Sequence, residues 1–522
     1  MIKQHNISSF NFTLNQGNIQ LKMNFNIDYL VYEDTKLMVL QNLVERLDLD
    51  FLKVAYSKNG RKSSVNPLTM FKILIYSYSI GKTSSREIED MCKFDLRAIY
   101  LLDGEKAPDH STINRFRQRI KPNLDDALVE FNELLIDYGM IDPSSIYIDG
   151  TKIEANANRY TFVWKKSVLK YKGKLIEKIY NKFSLDNVIS ENALILNLRI
   201  KIKELEDTKN KENIEFVYGK GKRKTQLQRD YEEYKSYLDK FLEYNKHLEI
   251  LGERNSYSKT DHDATFMRMK DDYMRNGQLK PAYNIQMATN GNFILGVYGS
   301  HHPSDMKTLP LFLDKIYPAY SEKMDKIVCD AGYESEENYH YLKSKGLRAF
   351  IKPSNYEVSK TKKYKEKEKF LNSLEYNEEE DCYISKESKK FVRVKDRIKI
   401  SDSGYKKVSK IYKCFDWNID GYRTKSIYFS EKFNEFRKES LENISTLEGI
   451  NERINRSIQA EGVFSKLKEG LGYSRFKHKG LKNIVGELNL MALAINLNTL
   501  TNKVINGDYS LTRYEISNEK IA

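Results

Sequence analysis

Two apolar runs of the chain end in the same way, on an aspartate that a glycine soon follows. The run in IYIDG ends on Asp149, and the run in KIVCDAG ends on Asp330. A carboxylate at the end of a buried strand is costly unless something neutralises it. Either each aspartate caps the turn that follows it, or the two strands deliver their carboxylates to one site. The second interpretation requires a fold in which the ends of two strands meet.

A third carboxylate lies on a predicted helix, in the segment ERINRSIQAEGVFSKLKEGLGYSRFKHKG. The predicted buried side of this helix carries Ile454, Ile458 and Leu467. One stripe, at spacings i, i+3, i+4 and i+7, holds Glu461, Phe464, Ser465 and Lys468. A rise of roughly 1.5 Å per residue separates Glu461 from Lys468 by about 10 Å. Such a helix can present a carboxylate to a site and a lysine to a phosphate; the alternative is an ordinary amphipathic helix.

The composition restricts the class of function. The 522 residues include 87 Lys and Arg against 73 Asp and Glu, a net charge of +14 with a pI near 9.1. This excess suits a polyanionic partner, either nucleic acid or an anionic membrane surface. No apolar run approaches the ~20 residues of a membrane span, and the N-terminus lacks the apolar core of a signal peptide. Widely spaced cysteines favour a reduced, cytosolic protein over a disulfide framework.

Short helices joined by tight turns are predicted from Pro67 to about Tyr138. The last of the short helices, in APDHSTINRFRQRIKP, carries Arg115, Arg117 and Arg119. A basic helix late in such a set suits a helix-turn-helix-like DNA-binding module. The alternative is a plain helical bundle with a solvated basic face, because arginines alone do not distinguish phosphate contact from solubility.

Two long helices follow. The second, in residues 225–251, has a heptad seam formed by Leu227, Tyr231, Tyr234, Leu238, Phe241, Asn245 and Leu248. With residues 191–206 it predicts an antiparallel helical hairpin whose tip, VYGKGKRK, contains Lys222, Arg223 and Lys224. The basic tip either grips a phosphate backbone or is a solvated loop.

Strand patterns begin near Lys280. Asn290-Gly291 predicts the turn of a β-hairpin. The doublet His301-His302 follows, and we predict a structural or DNA-proximal role for it because neighbours on one strand face opposite ways.

The order strand-Asp, hairpin, helix, strand-Asp and helix-Glu is similar to that of RNase H-like nucleases and integrases. Several longer motifs resemble bacterial insertion-sequence DDE transposases: YIDGTKIEANANRYTFVWKK, TDHDATFMRMKDD with YNIQMAT, VCDAGYESEENY and RSIQAEGVFSKLKEGLGYSRFKHKGL. GRKSSVNPLTMFKILIYSYSIGKTSSREIEDMC and APDHSTINRFRQR resemble the InsH-type N-terminal region of the same transposases. The resemblance extends from about residue 40 to 500.

The resemblance implies that Asp149, Asp330 and Glu461 form the catalytic triad and hold two Mg²⁺ (or Mn²⁺) ions per active site. Lys468 corresponds to a lysine that contacts DNA phosphate. The implied partners are the terminal inverted repeats of the element and target DNA, and two copies of the chain pair the two ends. The implied location is the cytoplasm of a bacterium, at the nucleoid.

The predicted fold class is mixed α/β, with an RNase H-like catalytic core interrupted by two insertions. The core comprises residues 141–160, 256–355 and 440–505; a helical hairpin occupies 161–255 and a small Lys-rich insertion 356–439. An irregular segment spans 1–45, an all-α DNA-binding domain 46–140 and a tail 506–522.

Related transposases often carry a cysteine cluster before the glutamate helix. Here Cys382 and Cys414 have no CxxC spacing and no nearby histidine, so we predict no structural zinc site. Two functional alternatives to an active transposase stay open. One is an RNase H-like nuclease that cuts without joining, and the other is a catalytically silent DNA-binding derivative.

Overall fold

The computed structural model describes residues 31, 34–55, 65–183, 190–219, 221–269, 277–386, 388–415 and 426–515. The mixed α/β class predicted from the sequence is confirmed. Residues 1–30, most of the predicted irregular segment, lie outside the described part. Where that segment is described, the prediction is wrong: a helix begins at Thr35 because the Asp34 side chain accepts a hydrogen bond from the backbone N of Leu37.

The described N-terminal region between residues 34 and 140 contains helices and short 3₁₀ turns. Sequence signals explain several of the helix starts. The side chain of Asp109 accepts from the backbone N of Thr112, and Glu87 accepts from the backbone N of Ser84 as in a capping box. The helices are α1 Thr35–Arg46, α2 Pro67–Ser79, α3 Ser85–Phe94, α4 Leu96–Leu102, α5 His110–Ile120 and α6 Leu124–Asp137.

A six-stranded sheet forms the centre of the molecule. The strands up to residue 351 are β1 Ser145–Glu154, β2 Phe162–Trp164, β3 Ser256–Ser258, β4 Thr265–Arg268, β5 Leu279–Asn290, β6 Phe293–Ser300, β7 Lys326–Cys329 and β8 Arg348–Ile351. β1 pairs with β5 on one edge, antiparallel, and with β7 on the other, parallel. β7 continues to β8 in parallel, while β5 pairs with β4 and β6 along its far edge. β2 and β3 form a separate two-stranded pair.

The predicted hairpin near residue 290 is confirmed, with its turn one residue further along. β5 ends at Asn290, and Gly291 and Asn292 both have positive φ, of 62° and 68°. This is the backbone that a tight two-residue hairpin turn requires.

Three helices occupy the region predicted to be a two-helix hairpin: α7 Lys165–Phe183, α8 Glu191–Lys211 and α9 Gln226–Leu251. Tyr234, Leu238 and Phe241 of the predicted seam do face an apolar cluster. That cluster also includes Leu175 and Ile179 of α7, the helix that the sequence pattern did not predict.

The region predicted to be a Lys-rich insertion contains a five-stranded sheet. Its elements are α12 Tyr356–Ser359, α13 Lys362–Asn372, β9 Glu375–Asn377, β10 Cys382–Ile384, β11 Lys390–Ile400, β12 Lys406–Lys413 and β13 Ser426–Phe429. Cys382 and Cys414 are buried in this part of the fold.

The remaining helices cover the central sheet: α10 Leu309–Tyr320, α11 Glu336–Ser344, α14 Glu431–Ser445, α15 Leu447–Ser465 and α16 Leu481–Asn506. α16 is long and apolar enough to cross a membrane, but 89% of its apolar window is buried inside the fold. One continuous apolar cluster includes Phe71 of α2, Leu493 of α16 and Ile294 of β6. The N-terminal helices therefore share a core with the sheet.

Candidate active site

The two strand aspartates lie side by side at one edge of the sheet. Ile148 of β1 pairs with Cys329 of β7, the last residue of that strand, so Asp149 and Asp330 follow neighbouring positions of parallel strands. The prediction that the first strand ends at Asp149 is wrong, because β1 continues beside β5 to Glu154. Only its pairing with β7 stops here, at the carboxyl end of the paired stretch. Ligands of such sheets bind in a crevice at this position, and we use the word crevice for the position beside Asp149 and Asp330.

Asp149 has a cationic neighbour. Its Oδ2 accepts a hydrogen bond from Nη1 of Arg456 at 3.1 Å, and its Oδ1 accepts from the backbone N of Gly150 at 2.8 Å. The side chains of Arg456 and Asp149 are 18% and 16% exposed. The pair is thus largely shielded from water, and α15 supplies the positive charge that neutralises the carboxylate.

Asp330 begins a 3₁₀ turn, Ala331–Tyr333, and its Oδ1 accepts from the backbone N of Gly332 at 2.8 Å. The capping interpretation made from the sequence is therefore correct for this residue. The cap uses only Oδ1, so Oδ2 can serve as a ligand. Burial, followed by the Asp330 charge, raises the pKa of the adjacent Cys329 thiol well above its usual value.

A further carboxylate, Asp305, lies against Gly150 and Gly332, the glycines that follow the two aspartates. A Cβ built on Gly150 would lie 2.9 Å from its Oδ1, and one built on Gly332 would lie 3.4 Å from its Oδ2. Asp305 begins a 3₁₀ turn, Asp305–Lys307, that precedes α10. An aspartate before a helix has an ordinary explanation as a helix cap, so residue spacing alone gives no sign of this placement.

Glu461 lies on α15, a helix that packs against β1 and β7. It is exposed and accepts a hydrogen bond from Oγ of Ser457 at 3.1 Å. Among the described residues, no group of three or more His, Cys, Asp or Glu side chains could hold a metal ion. The fold brings the elements carrying the three predicted carboxylates together, but it does not close them into a set of metal ligands.

The predicted stripe from Glu461 to Lys468 is not continuous. α15 ends at Ser465, and Lys466–Gly470 forms a π-helical turn, which is wider than an α-helical one. Lys468 lies in that turn, and Phe464 is buried. The prediction for Ile458 is also wrong, since it is 52% exposed. The buried side of α15 carries polar residues as well as apolar ones, and the polar ones are Glu452, Asn455 and Gln459.

The three arginines of α5 differ in their surroundings. Arg115 and Arg119 are exposed. Arg117 is buried, and its Nη1 donates to the hydroxyl of Tyr78 at 2.8 Å and to the carbonyl of Thr83 at 2.9 Å. The guanidinium of Arg117 thus joins α5 to α2 and the segment after it, which does not favour the predicted DNA contact for this residue.

The basic residues between α8 and α9 lie at the far end of the helical insertion. Lys222 and Arg223 are exposed, whereas Lys224 pairs with Glu232 of α9. The argument about the histidine doublet is wrong, because β6 ends at Ser300 and the rings of His301 and His302 lie together, with centroids 4.5 Å apart.

Two family models match the chain. One, described as "Transposase domain (DUF772)", matches residues 25–119, and the other, described as "Transposase DDE domain", matches residues 254–497. Together they cover more than half of the chain. Asp330 and Glu461 fall inside the second match, whereas Asp149 lies outside both.

Searches of curated proteins and of solved structures found no match. The InsH-type assignment of the N-terminal region is compatible with the first family match. The two matches, in the order that the sequence motifs predict, establish the family, and the chain belongs to the insertion-sequence DDE transposases.

Proposed function

We propose that this transposase binds the terminal inverted repeats of its element, cleaves DNA at the element ends and joins the freed 3′-OH to target DNA. The observation that carries this proposal is the placement of Asp149 and Asp330 beside one crevice, after paired residues of β1 and β7. An RNase H-like core is supported by the strand order β6-β5-β1-β7-β8, in which antiparallel pairings are followed by parallel ones.

The donor atoms are of the kind that divalent cations prefer, and binding requires the three carboxylates to move together from their positions in this structure. Asp149, Asp330 and Glu461 offer hard carboxylate oxygens, which Mg²⁺ and Mn²⁺ prefer. Two such ions in one site activate an attacking oxygen and stabilise the leaving oxygen of a phosphodiester. We assign these three carboxylates to two ions per site, which requires Arg456 to release Oδ2 of Asp149.

Strands and a glycine of the chain hold the proposed carboxylate ligands in position. β1 and β7 fix the backbone at Asp149 and Asp330, and Gly150 lets the Asp305 and Gln286 side chains approach the strand closely. Arg456, once released, is a cation within reach of a scissile phosphate. We assign Lys468 to phosphate contact near the same helix.

DNA contacts outside the crevice are assigned to exposed basic residues. Arg115 and Arg119 belong to the N-terminal region, 46–140, that we propose as a DNA-binding domain. Lys222 and Arg223 lie at the far end of the 161–255 insertion, and we add the half-buried Lys224, which would exchange its partner Glu232 for a phosphate. Pairing of two element ends requires two copies of the chain, so we propose that a homodimer forms the synaptic complex at the bacterial nucleoid.

The experiment is cleavage and strand transfer of a labelled duplex, taken from the DNA flanking the gene, with Mg²⁺ or Mn²⁺. Wild type is compared with Asp149→Asn, Asp330→Asn and Glu461→Gln. We expect wild type to cut and join, and all three variants to bind the duplex without doing either. Variants that cut as well as wild type would refute the triad assignment.

The same experiment separates the alternatives. Cutting without joining in wild type indicates a nuclease. Binding without cutting under either metal indicates a silent DNA-binding derivative.

A further inference from the structure

Asp305 is held by two buried amides of β5. Its Oδ1 accepts from Nδ2 of Asn284 at 2.7 Å and from Nε2 of Gln286 at 2.9 Å. Asn284 and Gln286 are 1% and 0% exposed, which is unusual for amide side chains. Buried amides need hydrogen-bond partners, and Asp305 supplies an acceptor to both.

The carboxylate fixes the direction of the network. A carboxylate accepts hydrogen bonds and donates none, so the Gln286 amide must turn its nitrogen towards Asp305. The same nitrogen donates to Oδ1 of Asn284 at 3.1 Å. Oε1 of Gln286 then faces the other way, where it accepts a hydrogen bond from the hydroxyl of Tyr333.

Tyr333 ends the turn that Asp330 begins. It is fully buried, and burial, reinforced by the Asp305 charge, raises the pKa of its hydroxyl well above the usual value, so the hydroxyl donates. A second link joins the two turns: Nδ2 of the buried Asn338 donates to the carbonyl of Met306 at 3.0 Å and to that of Tyr333 at 2.7 Å.

Asp305 also packs beside the other strand aspartate. A Cβ on Gly150 would lie 2.5 Å from Nε2 of Gln286 as well as 2.9 Å from Oδ1 of Asp305, so both side chains rest on the residue after Asp149. We propose that Asp305 is a positioning residue of this transposase, which holds the Asp330 turn through Gln286 and Tyr333 and sets its distance from Asp149. This inference rests on the proposed function.

The test is a double-mutant cycle with Asp305→Asn and Tyr333→Phe. Single-turnover cleavage of a pre-bound element-end duplex is measured at saturating Mn²⁺. Loss of an outer partner of a metal site typically lowers activity about 10–100-fold, and we expect each single variant to fall in that range. Because both residues act through Gln286, the double variant should be no slower than the slower single variant.

A matched pair away from the crevice serves as the control. The hydroxyl of Tyr341 donates to Asp314, between α11 and α10. Asp314→Asn, Tyr341→Phe and their double variant should cleave at the wild-type rate. Urea unfolding of all variants, together with duplex binding, separates loss of positioning from loss of folding, since the rates are compared among folded, DNA-bound proteins.

Three results would overturn the inference: a wild-type cleavage rate in Asp305→Asn, multiplicative rate losses in the double variant, or coupling in unfolding without coupling in the rate. If wild-type protein itself fails to cut, the proposed function fails and the positioning role fails with it. If wild type cuts and only the cycle gives one of the three results, the positioning role alone is wrong.

Discussion

Arg456 of α15 donates a hydrogen bond to Oδ2 of Asp149 on β1, across 3.1 Å. An arginine thus stands where a cation would have to approach the first carboxylate of the proposed triad. The pair ties the helix that carries Glu461 to the strand that carries Asp149, and it makes the guanidinium a competitor of any metal ion for the same oxygen.

Arg456→Gln should therefore lower the metal-ion concentration that cleavage requires. Even an exposed ion pair contributes up to ~1 kcal/mol, so for this largely shielded pair we expect the Mn²⁺ concentration for half-maximal cleavage to fall at least about fivefold. The measurement is a Mn²⁺ titration of the cleavage rate, with Lys343→Gln, which removes an exposed ion pair with Glu439, as the control. An unchanged or higher half-maximal concentration would contradict the competition.

Gly150→Ala should destabilise the fold. The added methyl would lie 2.5 Å from Nε2 of Gln286 and 2.9 Å from Oδ1 of Asp305, and overpacking of this kind costs about 1–3 kcal/mol. Gly462→Ala is the matched control, because that glycine lies within α15 with no atom within 4 Å of an added Cβ. It should stabilise the protein by roughly 0.5–1 kcal/mol through helix propensity. Urea unfolding measures both changes. An unchanged free energy of unfolding in Gly150→Ala would contradict the close packing of Gln286 and Asp305 against this glycine.

Glu452→Gln should weaken the attachment of α15 to the sheet. The fully buried Glu452 carboxylate accepts hydrogen bonds from the groups Ser145 Oγ, Tyr147 hydroxyl, Lys326 Nζ and Arg513 Nη2. Breaking a buried ion pair from one side costs about 3–5 kcal/mol, and we expect a loss of that order in the free energy of unfolding. Glu439→Gln, at an exposed pair, should change it by less than about 1 kcal/mol. Equal losses in the two variants would contradict this role.

Part of the tail predicted for residues 506–522 is also bound to the polar buried side of α15. The backbone carbonyl of Thr512 accepts from Gln459, and the backbone N of Tyr514 donates to Asn455. Residues 516–522 lie outside the described part of the chain.

The end of β7 before Asp330 was predictable because a charge that interrupts an apolar run is visible in the sequence, but the same signal misplaced the end of β1, which continues to Glu154. The hairpin at residues 290–293 was predictable because asparagine and glycine suit its turn. The positions of Asp305 and Arg456 beside the site could not be predicted. Their roles depend on which elements meet in three dimensions, and an aspartate before a helix or an arginine on one has an ordinary local explanation.

The buried face of α15 was mispredicted for a related reason. Hydrophobic periodicity assumes an apolar buried side, but here Asn455 and Gln459 bind the C-terminal segment while Ile458 is exposed. The π-helical turn at Lys466–Gly470 also has no signal in residue spacing, so the position of Lys468 could not be extrapolated from Glu461.

His301 should make stability depend on pH. Burial, with a smaller contribution from His302, lowers the pKa of His301 from 6.5 to about 4. Between these values the unfolded chain binds a proton that the folded chain does not, so stability is full above about pH 6.5 and falls as the pH is lowered towards about 4. His301→Asn should show a shallower decline of Tm over this window. Parallel Tm curves for the two proteins would contradict the shift.

The central claim is that Asp149 and Asp330 hold a divalent cation where the pairing of β1 with β7 ends. Its most direct test is to measure Mn²⁺ binding to the chain without DNA by electron paramagnetic resonance. The proteins compared are wild type, Asp149→Asn and Asp330→Asn, and Asp314→Asn is the control. We predict that wild type and the control bind equally and that each site variant loses more than about tenfold in affinity. Wild-type affinity in both Asp149→Asn and Asp330→Asn would contradict the account.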